Sequence, residues 1–252
     1  PEPEPPEDAA HGPYIKGRSD GGFYPKSSLS RAELAAILHG LASYEPGEAC
    51  FSDVRPGAWY AQAIYDLTAA GVLYGYSDGT FQPTEPITRA EFVAVLARIC
   101  GETATTDTTF TDVSDGWARP AISLAQEKGW VSGYSDGTFH PKDPVSRAEA
   151  VVMLNLFLGR TPDREAIDRG EGLRFFPDVE PERWYYYHVM EAATSHTAHW
   201  ETADSEETWL DPDAGEYALS EGFYCFQGRL YVVKGGSFLR TEETGRLEGV
   251  RD

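Results

Sequence analysis

Apolar positions along this chain fall into two registers that recur in a fixed order. In WYAQAIYDLTAAG (59–71), Ala63, Ile64 and Leu67 lie at helical spacing, and Gly71 is a natural terminator. VLYGYSDGTFQP (72–83) reads as a short extended piece broken by Asp-Gly, a pair that favours a turn with positive φ. Thr88 then opens a second helix whose inner stripe is Phe92, Val93, Val95 and Leu96. Further on the order repeats, with Ala150, Val151, Met153, Leu154 and Phe157 as the stripe.

The repetition extends to individual residues. FSDVRPGAWYAQAIYDLTAAGVLYGYSDGTFQPTEPITRAEFVAVLARIC (51–100) and FTDVSDGWARPAISLAQEKGWVSGYSDGTFHPKDPVSRAEAVVMLNLFLG (110–159) share F-x-D-V, a Trp, Ala-Ile, GYSDGTF, a Pro and [ST]RAE. KGRSDGGFYPKSSLSRAELAAIL (16–38) is a second half alone, and FPDVEPERWYYYHVMEAA (176–193) is a first half alone. F-x-D-V starts at Phe51, Phe110 and Phe176, and S-D-G-x-F at Ser19, Ser77 and Ser135. Three of each predict three units, one split between the chain's ends. The simplest arrangement is a closed ring, because an open stack of repeats needs atypical capping units.

SRAE, TRAE and SRAE begin the second helices, and Arg31, Arg89 and Arg147 are evenly spaced. Ser or Thr followed by Glu three residues later is a capping box, each cap contributing about 1 kcal/mol. That explains every residue of the motif except Arg, whose charge meets the positive end of the helix dipole. Two readings remain. The guanidinium fork, reinforced by free helix N–H groups, suits a carboxylate-bearing ligand. Alternatively, Arg bridges to an Asp such as Asp78 or Asp136. Spacing does not choose between them.

Composition narrows the partners. Among 252 residues, 41 Asp+Glu face 21 Lys+Arg, a net charge of −20. That balance argues against nucleic acid and anionic lipid. No apolar run approaches the ~18 residues of a membrane span. The opening PEPEPPEDAA reads as linker, and a chain starting this way is expected to be part of something longer. Cys50, Cys100 and Cys225 have no CxxC spacing and suggest neither a disulfide framework nor a zinc site.

The threefold pattern F-x-D-V…W…AI…GYSDGTF…P…[ST]RAE resembles the surface-layer homology (SLH) domain family over about 13–200. The resemblance implies a mainly α fold, a pseudo-threefold closed bundle of helix–turn–helix repeats. It implies non-covalent binding of secondary cell wall polysaccharide, anionic and often pyruvylated, in grooves between units. It implies anchoring of surface proteins to a Gram-positive-type envelope, at the cell wall or S-layer, with Arg31, Arg89 and Arg147 on the anionic glycan.

Further residues are candidates for that groove. Tyr76 and Tyr134 either stack on sugar faces or pack. Gly75 and Gly133, with Gly17, either admit a ligand or serve turn geometry. Trp59, Trp117 and Trp184 either contact sugar or, as spacing to the apolar stripe favours, pack at the core or its edge. Asp20, Asp78 and Asp136 are expected to serve the turns. The first site departs from the pattern, with Lys16-Gly17-Arg18 where the others read YGY or SGY.

The expected domains are a Pro/Glu linker (1–12), the repeat domain (13–200) and an acidic loop plus small β element (201–252). Within the repeat domain, units span 51–108 and 109–160, with a third split between 13–50 and 175–200. The β element is read from GFYCFQGRLYVVKGGSFLRTEETGRLEG (222–249), whose short apolar runs alternate with tight turns. SHTAHW after Ala193 replaces an expected Gly, so the last helix exits differently.

No catalytic motif emerges: no phosphate loop, GxSxG elbow or Cys/His pair. His196-x-x-His199 with Glu201 lacks HExxH spacing, and no metal or cofactor is expected for the chain. The Asp-Gly turns supply too few ligands for a calcium loop. The alternative to a glycan anchor is an assembly module with vestigial glycan sites, engaged in self-association or other protein contacts.

Overall fold

The computed structural model describes residues 6–240 apart from 171, 175, 204, 214–221, 227, 228, 235 and 236. In chain order the elements are β1 (Ala9–His11), α1 (Arg31–Leu41), α2 (Ala61–Ala69), α3 (Arg89–Cys100), α4 (Arg119–Glu127), α5 (Arg147–Leu158), α6 (Arg164–Arg169), α7 (Tyr186–Ala193), β2 (Ser195–His199), β3 (Thr208–Asp213), β4 (Gly222–Phe226), β5 (Arg229–Lys234) and β6 (Ser237–Arg240). The protein is mainly helical. It divides into a central unit, residues 26–158, and an end unit that joins residues up to 25 with those from 159 onward.

The central unit is organised around three equivalent segments. Leu29, Ile87 and Val145, each just before a capping box, are fully buried. Leu29 N–H donates to Val145 O (2.8 Å), Val145 N–H to Ile87 O (2.9 Å) and Ile87 N–H to Leu29 O (3.0 Å). These three bonds close a ring, so each buried backbone donor is satisfied by the next repeat. From it run α1, α3 and α5, whose apolar stripes (Leu34 and Leu38, Phe92 and Leu96, Val151 and Leu154) form the core. Thr88 Oγ1 accepts from Glu91 N while Glu91 Oε2 accepts from Thr88 N, a complete capping box repeated at Ser30/Glu33 and Ser146/Glu149.

The prong of each repeat is held by the Asp of F-x-D-V. Asp53 accepts from the backbone N–H of Phe81 and Gln82, both at 2.8 Å. Asp112 does the same for Phe139 and His140 at 2.7 and 2.8 Å. Gln82 and His140 take φ of 58° and 57°, a left-handed conformation that a non-glycine residue adopts only when held.

In the end unit the two half-motifs complete a third such prong. Asp178 accepts from Phe23 N (2.8 Å) and Tyr24 N (2.6 Å), and Tyr24 has φ 60°. The Phe23 and Phe176 rings meet at 5.3 Å, as Phe51 and Phe81 do in the central unit. Phe23, Tyr24 and Asp178 thus repeat the contacts of the two central prongs.

The end unit also holds two small antiparallel sheets. The sheet β4-β5-β6 lies where short strands are expected from sequence. The sheet β1-β2-β3 is not anticipated. β2 is central, pairing Ala9 with Ala198 on one side and Ala198 with Trp209 on the other. Strand β1 thus lies in the stretch read as linker, and β3 in the stretch read as acidic loop. The reason is that SHTAH alternates by burial, with His196 and Ala198 inward, although its inward residues carry little hydrophobic signal.

Candidate functional site

Each central arginine stands at the first position of its helix and turns toward the next repeat. Arg31 Nη1 meets Glu91 Oε1 at 3.4 Å, Arg89 Nη1 meets Glu149 Oε1 at 2.9 Å, and Arg147 Nη1 meets Glu33 Oε1 at 3.1 Å. The three ion pairs form a second closed ring. Every glutamate has two tasks, since one carboxylate oxygen caps its own helix while the other takes the neighbouring arginine.

The arginines are largely enclosed, at 6%, 6% and 4% exposure for Arg31, Arg89 and Arg147. Arg31 Nε donates to Phe81 O, and Arg89 Nε to Phe139 O, both at 2.8 Å. Arg31 Nη2 also donates to Tyr74 O at 2.8 Å. Two aromatic rings flank the guanidinium of Arg31, Tyr76 (4.9 Å) and Phe81 (4.5 Å), and two that of Arg89, Tyr134 (5.0 Å) and Phe139 (4.8 Å). The bridge therefore runs to glutamate, and not to Asp78 or Asp136.

The first two N–H groups of α1 and of α3 are already taken. Arg31 N–H donates to Glu85 O and Ala32 N–H to Pro83 O, while Arg89 N–H donates to Asp143 O and Ala90 N–H to Pro141 O. Loop carbonyls of the following repeat occupy the donors that one of the two sequence readings offered to a ligand, because bridges such as Ser30 to Pro86 lay that loop across the helix end. What reaches solvent is the edge of the cluster. Tyr76 and Tyr134 are 39% and 41% exposed, and their hydroxyls donate to Glu91 and Glu149 Oε1 at 3.1 Å. Burial and the adjacent carboxylates raise both phenol pKa values, so both donate as neutral phenols.

The remaining candidates separate. At Gly75 and Gly133 an added Cβ would strike the Phe51 or Phe110 ring and the Thr80 or Thr138 carbonyl; at Gly17 it would meet Phe176 and the Gly22 carbonyl. These glycines are required by prong packing. Asp78 and Asp136 accept from Thr80 and Thr138 N–H at 3.0 Å, and Asp20 from Gly22 N–H at 3.1 Å, so all three serve their turns. Trp59, Trp117 and Trp184 are 69%, 67% and 62% exposed, two residues ahead of α2, α4 and α7. They lie outside the core because the indoles precede the helical stripes, and Trp59 and Trp184 meet the rings of Tyr60 and Tyr185 edge-on, both at 5.3 Å. Arg18, in the sequence position of Tyr76 and Tyr134, lies 4.7 Å over the Tyr24 ring.

Glu33, Glu91 and Glu149 were legible as caps and missed as partners of arginine. The repeated Asp of F-x-D-V was visible in sequence without a role.

Residues 9–35, 51–93 and 109–151 match the model of the S-layer homology domain. The chain is 34% identical over 208 residues to cell surface glycoprotein 1 of Acetivibrio thermocellus, an alignment covering 74% of this chain and 9% of that protein. It is 32% identical over 199 residues to a cellulosome-anchoring protein of the same organism, covering 74% and 43%. A surface-layer 125 kDa protein of Lysinibacillus sphaericus is 26% identical over 164 residues, covering 62% and 14%. The chain thus spans less than half the length of each of these relatives.

Proposed function

This chain carries three S-layer homology repeats, and from that premise we propose that it is a non-catalytic module anchoring a protein at the cell surface by binding an anionic, pyruvylated secondary cell wall polysaccharide. The observation that supports this reading most is the duplication of one cluster: Arg31, Tyr76 and Glu91, then Arg89, Tyr134 and Glu149. Each offers a partly exposed tyrosine ring, a carboxylate that accepts from sugar hydroxyls, and a guanidinium edge beneath. A guanidinium carries five N–H donors, and glutamate together with the prong carbonyls takes only part of that set. A ligand carboxylate bonds to what is left. The long-range field of a −20 chain opposes an anionic polymer, so binding is local and short-range. The exposed Trp59 and Trp117 extend the apolar surface available to a polymer.

Calorimetry of the full chain against purified wall polysaccharide, with and without its pyruvyl groups, tests the proposal. The informative variant is Tyr76→Ala with Tyr134→Ala, because the tyrosines are half-exposed whereas the arginines hold the fold. Binding that needs the pyruvyl group and falls at least tenfold in the folded double variant is expected. Wild-type protein that ignores every wall fraction would leave the alternative, an assembly module whose Arg–Glu ring is structural only.

A further inference from the structure

Four residues from four segments of the end unit converge on one point. His11 ends β1, Glu191 lies in α7, His196 in β2, and Glu207 immediately precedes β3. The last three are buried. His11 Nδ1 lies 3.2 Å from His196 Nε2, 3.2 Å from Glu207 Oε1 and 3.6 Å from Glu191 Oε1. His196 Nε2 lies 3.1 Å from Glu207 Oε1 and 3.4 Å from Glu191 Oε1. An ion bound tetrahedrally at about 2.0–2.1 Å separates its ligands by about 3.3–3.4 Å, which these five distances bracket.

We propose that His11, Glu191, His196 and Glu207 form a closed, four-coordinate site for a divalent transition ion, zinc by ligand preference. The outer contacts aim the donors inward. His196 Nδ1 lies 3.1 Å from the Thr194 carbonyl, a contact that holds the ring with Nε2 turned to the centre. Trp209 Nε1–H donates to Glu191 Oε2 at 3.0 Å, and Thr161 N–H to Glu207 Oε2 at 3.1 Å. The inward oxygen, Glu191 Oε1, is buried and accepts no hydrogen bond; its contacts are His196 Nε2 at 3.4 Å and His11 Nδ1 at 3.6 Å. A cation at the centre gives that oxygen a direct partner.

Charge and sterics point the same way. Two carboxylates and two neutral imidazoles balance one divalent ion. His11 Nδ1 and His196 Nε2 face each other at 3.2 Å, so without a metal one must carry a proton for the other to accept, whereas a metal takes both as ligands. Trp209 stacks on His196 at 4.1 Å and Trp200 meets His11 edge-on at 6.4 Å, giving the site an apolar wall. With all four positions filled by protein, the ion is structural rather than catalytic: it ties a three-residue strand to α7 and β2. The pair considered from sequence is not this one, since His199 bonds Asp8 at 2.7 Å and Glu201 lies outside the cluster. The inference is independent of glycan anchoring.

The full chain, dialysed against a chelator, is titrated with zinc chloride in competition with a chromophoric chelator, and with cobalt(II) followed by visible absorption. One equivalent per chain with the intense bands of tetrahedral cobalt is expected. His11→Gln should weaken zinc binding at least 100-fold. Trp209→Phe keeps a stacking ring and removes only the outer hydrogen bond, so about a tenfold loss is expected. Circular dichroism verifies the fold of each variant, and if His11→Gln does not fold, the Trp209→Phe result decides. Folded wild type that binds no zinc, or undiminished binding in Trp209→Phe, would overturn the site and leave a buried ion-pair network.

Discussion

Arg89 Nη1 sits 2.9 Å from Glu149 Oε1, joining the first residue of one helix to the third residue of the next repeat's helix, 60 positions along the chain. Arg89→Ala removes the partner of a partly buried carboxylate and leaves the Phe139 carbonyl without its donor. Urea unfolding is expected to show a loss of about 3 kcal/mol, the low end for breaking a buried pair because Glu149 keeps some solvent. Arg89→Lys keeps the charge but not the forked geometry, and should recover less than half of that loss.

Gly75 is a packing position. Gly75→Ala places a methyl group against the Phe51 ring and the Thr80 carbonyl. A destabilisation of about 1–3 kcal/mol is expected from overpacking, read as a lower urea midpoint at constant slope. A variant that unfolds at the wild-type midpoint would show that the glycine is not needed for prong packing.

Asp53 illustrates a second structural device. Its two oxygens accept separate backbone N–H groups, one from Gln82 at positive φ. Asp53→Asn keeps one acceptor and points a donor at an N–H, so about 1–3 kcal/mol should be lost. Asp112→Asn should behave alike, because its geometry is the same.

Acid stability has an identifiable contributor. Glu127 accepts from the backbone and hydroxyl groups of Thr105 and Thr106 at 2.8–3.0 Å, and these bonds lower its pKa from 4.5 to about 2. The unfolded chain binds this proton more readily than the folded chain. Glu127 therefore stabilises fully above pH 4.5, and its contribution disappears as pH falls toward 2. Glu127→Gln should flatten the decline in stability between those values, measured by chemical denaturation across pH.

Thr88→Ala removes the hydroxyl that accepts from Glu91 N. About 1 kcal/mol should be lost. The loss should exceed that of an ordinary exposed cap, because Glu91 is also the carboxylate that receives Arg31 and Tyr76.

By itself the sequence determined the repeat count, the helices and their caps. Those features are local or periodic: apolar spacing, Ser/Thr with Glu three residues on, and Asp-Gly turns write themselves into neighbouring residues. Tertiary structure alone decided where Arg31, Arg89 and Arg147 point. A guanidinium at a helix start is equally able to face an anion, an aspartate or a neighbour's glutamate, and only the placement of the next repeat selects among them. The same holds for the donors at the helix N-termini, taken by carbonyls of Pro83, Glu85, Pro141 and Asp143 that no local pattern connects to them. It holds most strongly for His11, Glu191, His196 and Glu207. Their positions span the chain from end to end, so no spacing rule could gather them. They meet because β1 pairs with β2 and α7 runs directly into β2, which sets side chains from distant segments around one buried point.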